Sequence, residues 1–538
     1  MNGTVLLVAT VALPLLAAIA VLALRRAPAV AIAVAAGASA FTLVAALALL
    51  RVAPPWRQGA DAASLDLPWI GLLRSRLHLG WDGITAPLVV LTALLVLLAV
   101  VYLWSSDDNG PDADGAPDPL LLVCLLLVEA GAVATFTARD LLVFFIGFET
   151  VLVPMWFIIA RWGDPVRRRG SQDGPTARSA AATRFVLYTA TGSAIMLLGL
   201  VLLAVRAGTS DMVELTQTGP QLDLGTQSAV ALLLLVGLGV KVPVWPLHSW
   251  LPAAHTIAPT VGSVLLAGVL LKLGSYGMVR LVAGVVPDGL ARWAPWLAAV
   301  GVGGILWGAL VCLVERDLKR LIAFSSVAHM GFVVVGVASG TPEGLQGALF
   351  AGVAHGVFTS LLFWTVGMLK HRRSSADLSD LGTGLRDRMP RLGWVLALGV
   401  VAGVGLPGLA GFWGEILAVV GAWKGEAFLG PVGAVWVAAL SALGTALAAA
   451  YLMRVLYLLW HGDARSGPDG SRPAAGTTSG ADTTSGTGAD GLHGPDLTVA
   501  EGSVLAPLVV GCLALGVLPW LLLSVTGPAV RLLLGGGA

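Results

Sequence analysis

Charged residues and cysteines are scarce in this chain of 538 residues. Asp, Glu, Lys and Arg make up 12% of the sequence, whereas soluble domains contain about 25%. The net charge of +1 gives no overall positive field that would attract nucleic acid. Cys124, Cys312 and Cys512 lie far apart in apolar runs, so the sequence contains no CxxC metal or cluster site and predicts no disulfide framework. The phosphate-binding loop patterns GxxxxGKS and GxxxxGKT are also missing.

Apolar sequence is abundant instead, at 57% of the chain. Runs of about 20 apolar residues recur, and each is long enough to cross roughly 30 Å of hydrocarbon as a helix. Only helices and closed barrels satisfy the backbone in lipid, and unbroken rather than alternating runs favour helices. We predict an all-α polytopic membrane protein with about 14 transmembrane helices. The predicted spans are 3–24, 30–50, 83–104, 118–135, 140–160, 184–205, 228–248, 258–281, 293–314, 319–339, 344–369, 392–422, 430–460 and 502–526.

The distribution of basic residues between the loops predicts the orientation. Loops after odd-numbered spans contain roughly 20 Lys and Arg, whereas the other loops and the tail contain about 10. The richer side is predicted to face the cytoplasm, with both termini on the outer side. No basic residue precedes the first apolar run, which predicts a retained helix rather than a cleaved signal peptide. Ser466 to Pro495, rich in Gly, Ser, Thr, Asp and Ala, is predicted to be disordered.

Two predicted spans are interrupted by proline and glycine. Span 7 contains Pro243 and Pro246, and span 12 contains Pro407 among several glycines. Interrupted segments at corresponding positions are typical of inverted repeats in transporters. Because the two spans are five apart, we predict two inverted five-helix repeats with broken helices 7 and 12. The predicted parts are helices 1–3 (1–117), the first repeat with helices 4–8 (118–281), the second repeat with helices 9–13 (293–460), a disordered cytoplasmic linker (461–500) and helix 14 (501–538).

Four ionisable residues lie deep in the predicted spans. They are Glu149 in span 5, Lys241 in span 7, Lys272 in span 8 and Glu415 in span 12. A charge at that depth costs at least about 2.5 kcal/mol, so each residue is expected to have a partner or a role. Two acids and two bases can neutralise one another. This arrangement favours lateral proton passage along the middle of the membrane.

Histidines are the other titratable residues near these spans. His248, His329 and His355 are candidates for a proton relay, since imidazole both donates and accepts near neutral pH. Hydrogen bonding within the bundle is the alternative for each of them. His255, in a short turn, and Glu129, in span 4, are weaker candidates, and a helix-packing hydrogen bond is the alternative for Glu129. The histidines lack i, i+3 or i, i+4 spacing, so no metal site is predicted.

Residues 238–280, LGVKVPVWPLHSWLPAAHTIAPTVGSVLLAGVLLKLGSYGMVR, resemble the signature of a known membrane family. It is the family of proton-pumping, antiporter-like subunits of respiratory complex I, the bacterial proton-translocating NADH–quinone oxidoreductase. The runs GFETVLVPMW, DLKRLIAFSSVAHMGF and AHGVFTSLLFW resemble the same family. The resemblance implies 14 core helices with two inverted repeats. It also implies proton translocation through Glu149, Lys241, Lys272 and Glu415, with His248, His329 and His355 as relays.

The resemblance also implies partners and cofactors. NADH, FMN, iron–sulfur clusters and quinone are expected in partner subunits, and no cofactor is expected in this chain. After the break in span 12, the homologous subunits L and N typically have a lysine, whereas Glu415 is typical of the third antiporter-like subunit. Subunits L and N are therefore expected as partners in the bacterial plasma membrane. The hypothesis for coupling is that a neighbouring subunit separates an ion pair of Glu149 with Lys241.

Three other functions stay open at this point. A subunit of a multi-subunit sodium/proton antiporter would be a transporter without an electron-transfer partner. A membrane subunit of a proton-pumping hydrogenase would differ only in its soluble partners. A scaffold without transport would have no use for four buried charges.

Overall fold

The computed structural model describes residues 2–58, 61–71, 74–105, 117–164, 174–373, 375–382, 384–460 and 496–535. Among these residues, thirteen helices are long and apolar enough to cross a membrane. The prediction of a polytopic helical membrane protein is confirmed. The number of 14 spans and the division into two inverted repeats stay predictions.

The helices are numbered in chain order. The first part contains α1 Gly3–Ala23, α2 Pro28–Val52, α3 Pro55–Gln58, α4 Thr85–Ser105, α5 Pro119–Thr137, α6 Leu141–Thr150, α7 Leu152–Trp162, α8 Gly174–Ala207, α9 Met212–Thr218, α10 Leu224–Lys241, α11 Trp250–Ile257, α12 Thr260–Leu265 and α13 Leu271–Gly277. The second part contains α14 Pro287–Val314, α15 Leu318–Ala338, α16 Pro342–Arg373, α17 Leu378–Leu381, α18 Leu385–Arg388, α19 Pro390–Val404, α20 Ala410–Lys424, α21 Glu426–Leu429, α22 Pro431–Trp460, α23 Val499–Val517 and α24 Trp520–Leu533.

A β-hairpin between α2 and α4 was not predicted. Strand β1, Ala63–Ile70, pairs antiparallel with β2, Ser75–Trp81. In β2 the apolar residues alternate with polar ones for only a few positions, which is a weak signal beside the long apolar runs. The backbone of β2 also bonds the connection between α5 and α6, where Arg139 N donates to His78 O at 2.8 Å. We call this end of the bundle the hairpin face.

The predicted span 5 is divided in the structure. Helix α6 ends at Thr150 and α7 begins at Leu152, so Glu149 lies in the last turn of α6. Pro154 lacks the N–H group that would otherwise bond the carbonyl of Thr150. The division places an irregular backbone directly beside Glu149, whose Oε1 atom is buried.

The segment from α10 to α13 combines turns with π-helical backbone. Helix α10 ends at Lys241, and residues 242–249 form turns before α11. The indole of Trp250 donates to the carbonyl of Val240 at 2.9 Å, which satisfies one acceptor at the helix end. Two π-helical segments, Leu266–Leu270 and Met278–Ala283, flank α13, which carries Lys272. Such segments are frequent at functional sites.

The predicted span 12 is two shorter helices, α19 and α20, joined by residues 405–409. Gly405 and Gly408 have φ of +78° and +91°, a left-handed backbone that favours glycine. The connection brings the backbone of Gly405 next to the side chain of Glu415, since a Cβ built on Gly405 would lie 3.1 Å from Oε2.

The C-terminal region differs from the single predicted span 502–526. Helix α23 ends at Val517, and α24 begins at Trp520 after Pro519, a residue that interrupts the helical hydrogen-bond ladder. The predicted disordered segment 466–495, which makes up most of the predicted linker 461–500, lies outside the described residues.

Helices α15 and α16 form the centre of the bundle, and their apolar segments are completely buried. Helices α22 and α23 lie at the periphery, since only 28% of the residues in their apolar segments are buried. Side chains that point from α15 and α16 therefore contact other helices rather than lipid. His329 and His355, described below, lie on these two helices.

Candidate functional site: a buried line of lysine, histidine and glutamate

Lys272 and His355 form the first pair of the site. Lys272 Nζ lies 2.7 Å from Nδ1 of His355, and both side chains are fully buried. The same ammonium donates to the carbonyl of Ala267 at 2.5 Å. Ala267 belongs to the π-helical segment before α13, in which the wider turn leaves carbonyl groups available. The π-helical segment and α16 thus each supply one acceptor to the lysine.

His329 and Glu415 form the second pair. Nδ1 of His329, on α15, lies 3.0 Å from Oε1 of Glu415, on α20. Thr445, on α22, donates its hydroxyl to Oε2 of Glu415 at 3.1 Å. The carboxylate therefore has a partner on each oxygen, as a buried polar group requires.

The two pairs meet through their imidazole rings. The ring centroids of His329 and His355 are 5.9 Å apart, and Phe358 contacts both rings at 5.1 and 5.5 Å. The Nε2 atom of each histidine is buried and has no hydrogen-bond partner among the described residues. Side chains from α13, α16, α15 and α20 thus make one line, Lys272–His355–His329–Glu415, which we call the central line.

The prediction of an ion pair between Glu149 and Lys241 is wrong for this structure, because the two side chains are not paired. No ion pair within 4.0 Å joins them among the described residues, and Lys241 Nζ instead lies 4.7 Å from the ring centroid of Phe148. Lys241 Nζ and Glu149 Oε1 are both buried without a hydrogen-bond partner there. The ammonium group of Lys241 thus contacts the aromatic ring of the residue that precedes Glu149.

His248 does not join the central line. It lies on the wall of a cleft of about 860 Å³ between α8, α11, α14 and α15, and its ring packs edge-on against Phe324. Glu129, on α5, accepts a hydrogen bond from Ser39, on α2, at 2.8 Å. That contact matches the helix-packing alternative. Neither residue contacts the four residues of the central line in the described structure.

A cluster that the sequence did not single out lies at the opposite end of the bundle from the hairpin. Asp164 Oδ2 accepts hydrogen bonds from Lys319 Nζ at 2.7 Å and from Lys370 Nζ at 2.5 Å. Burial opposes the charge of Asp164, but the two ammonium groups outweigh it and hold the pKa of Asp164 below its ordinary value. We call this group the Asp164 cluster and this end the Asp164 face. In the sequence, the three members are charged residues at the ends of predicted spans, where charged residues are common.

The hairpin face carries a second charged network. Arg139 is almost fully buried and bonds Asp61 at 2.6 Å, while Asp82 bonds Arg280 at 2.5 Å. Burial opposes the charge of Asp82, but Arg280 and Arg139 hold its pKa below the ordinary value. Arg139 also donates to the hydroxyl of Tyr276, which lies one helical turn after Lys272. The network therefore joins the hairpin to the helix of the central lysine.

A family profile matches residues 138–441, and its description is "NADH:quinone oxidoreductase/Mrp antiporter, TM". The chain belongs to this family. The matched region begins at the connection before α6 and ends within α22, so it contains every residue of the central line. The family prediction made from residues 238–280 is confirmed.

Relatives in the family are similar over most of their length. NADH-quinone oxidoreductase subunit M of Rhodobacter capsulatus is 33% identical over 91% of this chain and 87% of its own. Subunit M of Pseudomonas aeruginosa is 39% identical over 66% and 68%. A NAD(P)H-quinone oxidoreductase chain 4 of Synechococcus is 37% identical over 73% and 71%.

Solved structures agree with the family assignment. A chain of respiratory complex I from Thermus thermophilus with bound NADH superimposes with a TM-score of 0.80 at 26% identity, over 99% of both chains. A chain of the Mrp complex from Dietzia superimposes with a TM-score of 0.81 at 22% identity, over 99% and 98%. The second likeness shows the fold only. Among the described residues, no group of three or more His, Cys, Asp or Glu side chains is placed to hold a metal ion.

Proposed function

We propose that this chain is a proton-translocating membrane subunit of an NADH–quinone oxidoreductase. It would span the bacterial plasma membrane many times, with both termini on the outer side. Relatives of the chain are named NADH-quinone oxidoreductase subunit M, which supports the assignment to this enzyme complex. The basic loops after odd-numbered spans support the orientation of the termini. In this proposal the chain moves protons, and the oxidation of NADH and reduction of quinone take place elsewhere in the complex.

The observation that carries the proposal is the central line. Its four residues come from four different helices at the packed centre of the bundle. Each contacts the next in the order Lys272, His355, His329 and Glu415. Each of the four gains or loses a proton in ordinary protein chemistry. Helix packing alone does not require four titratable groups in contact with one another, since burying each group at this depth costs free energy.

Lys241 and Glu149 are proposed to control the start of this line. Burial disfavours the ammonium form of Lys241, whereas the nearby carboxylate favours it. A change in the distance between Glu149 and Lys241 therefore changes where the proton resides. Both residues lie at helix ends, since turns follow Lys241 and α6 ends at Thr150. A proton released by Lys241 would pass through water to Lys272 and along the central line to Glu415.

Partners supply the redox chemistry in this proposal. NADH, FMN, iron–sulfur clusters and quinone would bind other subunits, and the membrane subunits L and N would adjoin this chain. Glu415 would be the exit of the line or its contact with the next subunit. His248, away from the central line, would act at the Asp164 face, where the cleft opens beside it.

The test is a substitution that removes one proton carrier while preserving side-chain length. Lys272→Met in the intact complex should reduce NADH-driven proton pumping to a tenth or less, measured in inside-out membrane vesicles as protons per electron. Lys424→Met is the matched control, because Lys424 is an exposed lysine paired with Glu343. An unchanged ratio in Lys272→Met would contradict the proposal.

A sodium/proton antiporter is the second candidate, because the family profile also includes Mrp antiporters. The two functions differ in their energy source. If the purified complex of this chain and its partners pumps protons only when NADH is present, the first function is supported. Sodium-dependent proton exchange without NADH, in a preparation lacking flavoprotein and iron–sulfur subunits, would support the second.

A further inference from the structure

The cleft of about 860 Å³ between α8, α11, α14 and α15 lies beside the turns that follow Lys241. Its wall includes Trp245 and Trp307, which keep 36% and 47% of their surface exposed. Trp307 lies seven residues before the end of α14, which places it about 10 Å from that end at 1.5 Å per residue. The cleft therefore reaches from the end of the bundle into the depth of the membrane and offers an apolar wall there.

Two arginines line the same cleft. Arg320, on α15, directly follows Lys319 of the Asp164 cluster and is paired with Glu315 at 3.2 Å, with 43% of its side chain exposed. Arg184, on α8, is exposed and has no hydrogen-bond or ion-pair partner among the described residues. The side chains of Arg184, Arg320 and Glu315 together carry a net positive charge. A guanidinium group holds a phosphate through two parallel hydrogen bonds, so this end of the cleft suits a phosphate group.

A second groove joins the cleft at Arg184. It has a volume of about 590 Å³ and is formed by α8 alone, from Thr176 to Tyr188. Ala180 and Arg184 line both the cleft and the groove. One helical turn further along α8, the hydroxyl of Ser249 donates to that of Tyr188 at 2.7 Å, and this contact joins a residue of the cleft to a residue of the groove. The contact forms a ridge, so two branches meet at one guanidinium group.

The occupant must match both the charge and the two branches. An inorganic anion binds the arginines but leaves the branches empty, and an uncharged lipid leaves Arg184 without a partner. A phospholipid with two acyl chains matches both features, because its phosphate binds between the arginines while one chain enters each branch. Basic pockets between transmembrane helices on the cytoplasmic side bind anionic lipid headgroups. The predicted spans place both arginines on that side.

We propose that this cleft binds one anionic phospholipid with two acyl chains, of the phosphatidylglycerol class. The phosphate accepts hydrogen bonds from Arg184 and Arg320. One acyl chain lies in the cleft against Trp245 and Trp307, and the other follows α8 past Leu187. The inference goes beyond the proposed function, since the lipid fills the space beside the turns between α10 and α11 whether or not protons pass through the chain.

The experiment uses the intact complex in vesicles of phosphatidylcholine containing one-fifth phosphatidylglycerol. Either lipid carries a photoreactive diazirine in one acyl chain, at the same concentration of labelled lipid. After illumination without NADH, mass spectrometry identifies the labelled peptides of this chain. Labelled phosphatidylglycerol should modify the peptides that contain Trp245 or Trp307 at least five-fold more than labelled phosphatidylcholine does. The double variant Arg184→Gln/Arg320→Gln should lose this preference.

The matched control is Arg25→Gln/Arg26→Gln, because both arginines are exposed between α1 and α2 on the same predicted side, and this variant should retain the preference. Ala180→Trp leaves the arginines of the cleft in place but fills the junction of the two branches, so it should also lose the preference.

Three outcomes would overturn the proposal. They are equal labelling by the two lipids in wild type, an unchanged preference in either cleft variant, and a loss in the control equal to that in the cleft variants. A photoreactive benzoylphenylalanine in place of Trp307 that captures a neighbouring subunit instead of lipid would show that protein covers the cleft, and it would also overturn the proposal. The labelling needs no NADH, so its result does not depend on whether the chain pumps protons. Subunit content of each purified complex measures assembly.

Discussion

Lys272 Nζ lies 2.7 Å from Nδ1 of His355 in a fully buried contact, with the carbonyl of Ala267 on the other side of the ammonium. An ammonium group only donates hydrogen bonds, so Nδ1 accepts while Lys272 is charged and the ring proton is then on Nε2. Nε2 of His355 has no hydrogen-bond partner among the described residues, so it is the ring nitrogen available for the next proton transfer. The contact is therefore suited to passing a proton from lysine to histidine and onward to His329.

The first prediction concerns His355. His355→Leu should reduce NADH-driven pumping at least ten-fold, because the proton of Lys272 loses its only titratable acceptor among the described residues. The measurement is protons per electron in inside-out vesicles. His371→Leu is the control on the same helix, at its exposed end. Equal pumping by wild type and His355→Leu would contradict a relay through this residue.

The second prediction concerns the aromatic contact of Lys241. Lys241→Ala should abolish coupled pumping and lower NADH–quinone turnover. Phe148→Leu should have a smaller effect, because it removes only a cation–π contact worth about 2 kcal/mol when desolvated. It should still change the rate several-fold, since the ammonium group of Lys241 loses its contact with the ring. Pumping rates of the two variants, normalised to assembled complex, provide the measurement. Identical rates for wild type and Phe148→Leu would deny the ring any role.

The sequence indicated the central line because charge in an apolar run is costly wherever it occurs. Lys272 and Glu415 were found by that argument, whereas His329 and His355 were found as titratable residues near the spans. In the structure the four residues contact one another. The predicted Glu149–Lys241 ion pair is absent from the structure, because the sequence does not show the distance between two helices or that Lys241 contacts the ring of Phe148. Thr445 and Phe358 were missed for a related reason, since a threonine or phenylalanine in a span carries no signal until its neighbour is known. The hairpin was missed because its alternation is short.

The third prediction concerns Thr445. Its hydroxyl donates to Oε2 of Glu415, and a hydrogen bond to a charged group contributes about 1.5–3 kcal/mol. Thr445→Val, which has almost the same shape, should therefore lower the pumping rate roughly ten-fold. Thr445→Ser retains the hydroxyl and should stay within two-fold of wild type. The comparison of valine with serine isolates the hydrogen bond, and equal losses in both variants would assign the effect to packing around residue 445.

The fourth prediction uses two glycines of one connection. Gly405 and Gly408 both have a left-handed backbone, so alanine at either position carries a conformational cost of about 1–2 kcal/mol. Only at Gly405 would the new Cβ approach Glu415 Oε2, at 3.1 Å, whereas Gly408 has no atom within 4 Å. Gly405→Ala should reduce pumping several-fold more than Gly408→Ala, at similar losses of thermal stability. Equal pumping by the two variants would show that the connection does not position Glu415.

The last prediction concerns the pH dependence of the hairpin face. His78 Nδ1, on β2, lies 2.5 Å from Oδ2 of Asp211, the residue that caps α9. Burial favours the neutral imidazole, but the hydrogen bond to Asp211 outweighs it and raises the pKa of His78 above its ordinary value of 6.5. Burial likewise opposes the charge of Asp211, yet its bonds to His78 and to the α9 backbone lower its pKa below 3.8.

A raised histidine pKa in the folded state means that protons bind the folded state more tightly than the unfolded state. The stabilisation is therefore complete below pH 6.5 and is lost as the pH rises through the folded-state pKa of His78. Below pH 3.8 the Asp211 contribution falls as that carboxylate is protonated. Hydrogen exchange of the β1–β2 amides, corrected for intrinsic rates, should show protection that decreases several-fold from pH 6 to pH 9. His78→Gln keeps a hydrogen-bond donor without the titration and should remove this pH dependence. The same decrease in His78→Gln would show that another group controls the hairpin.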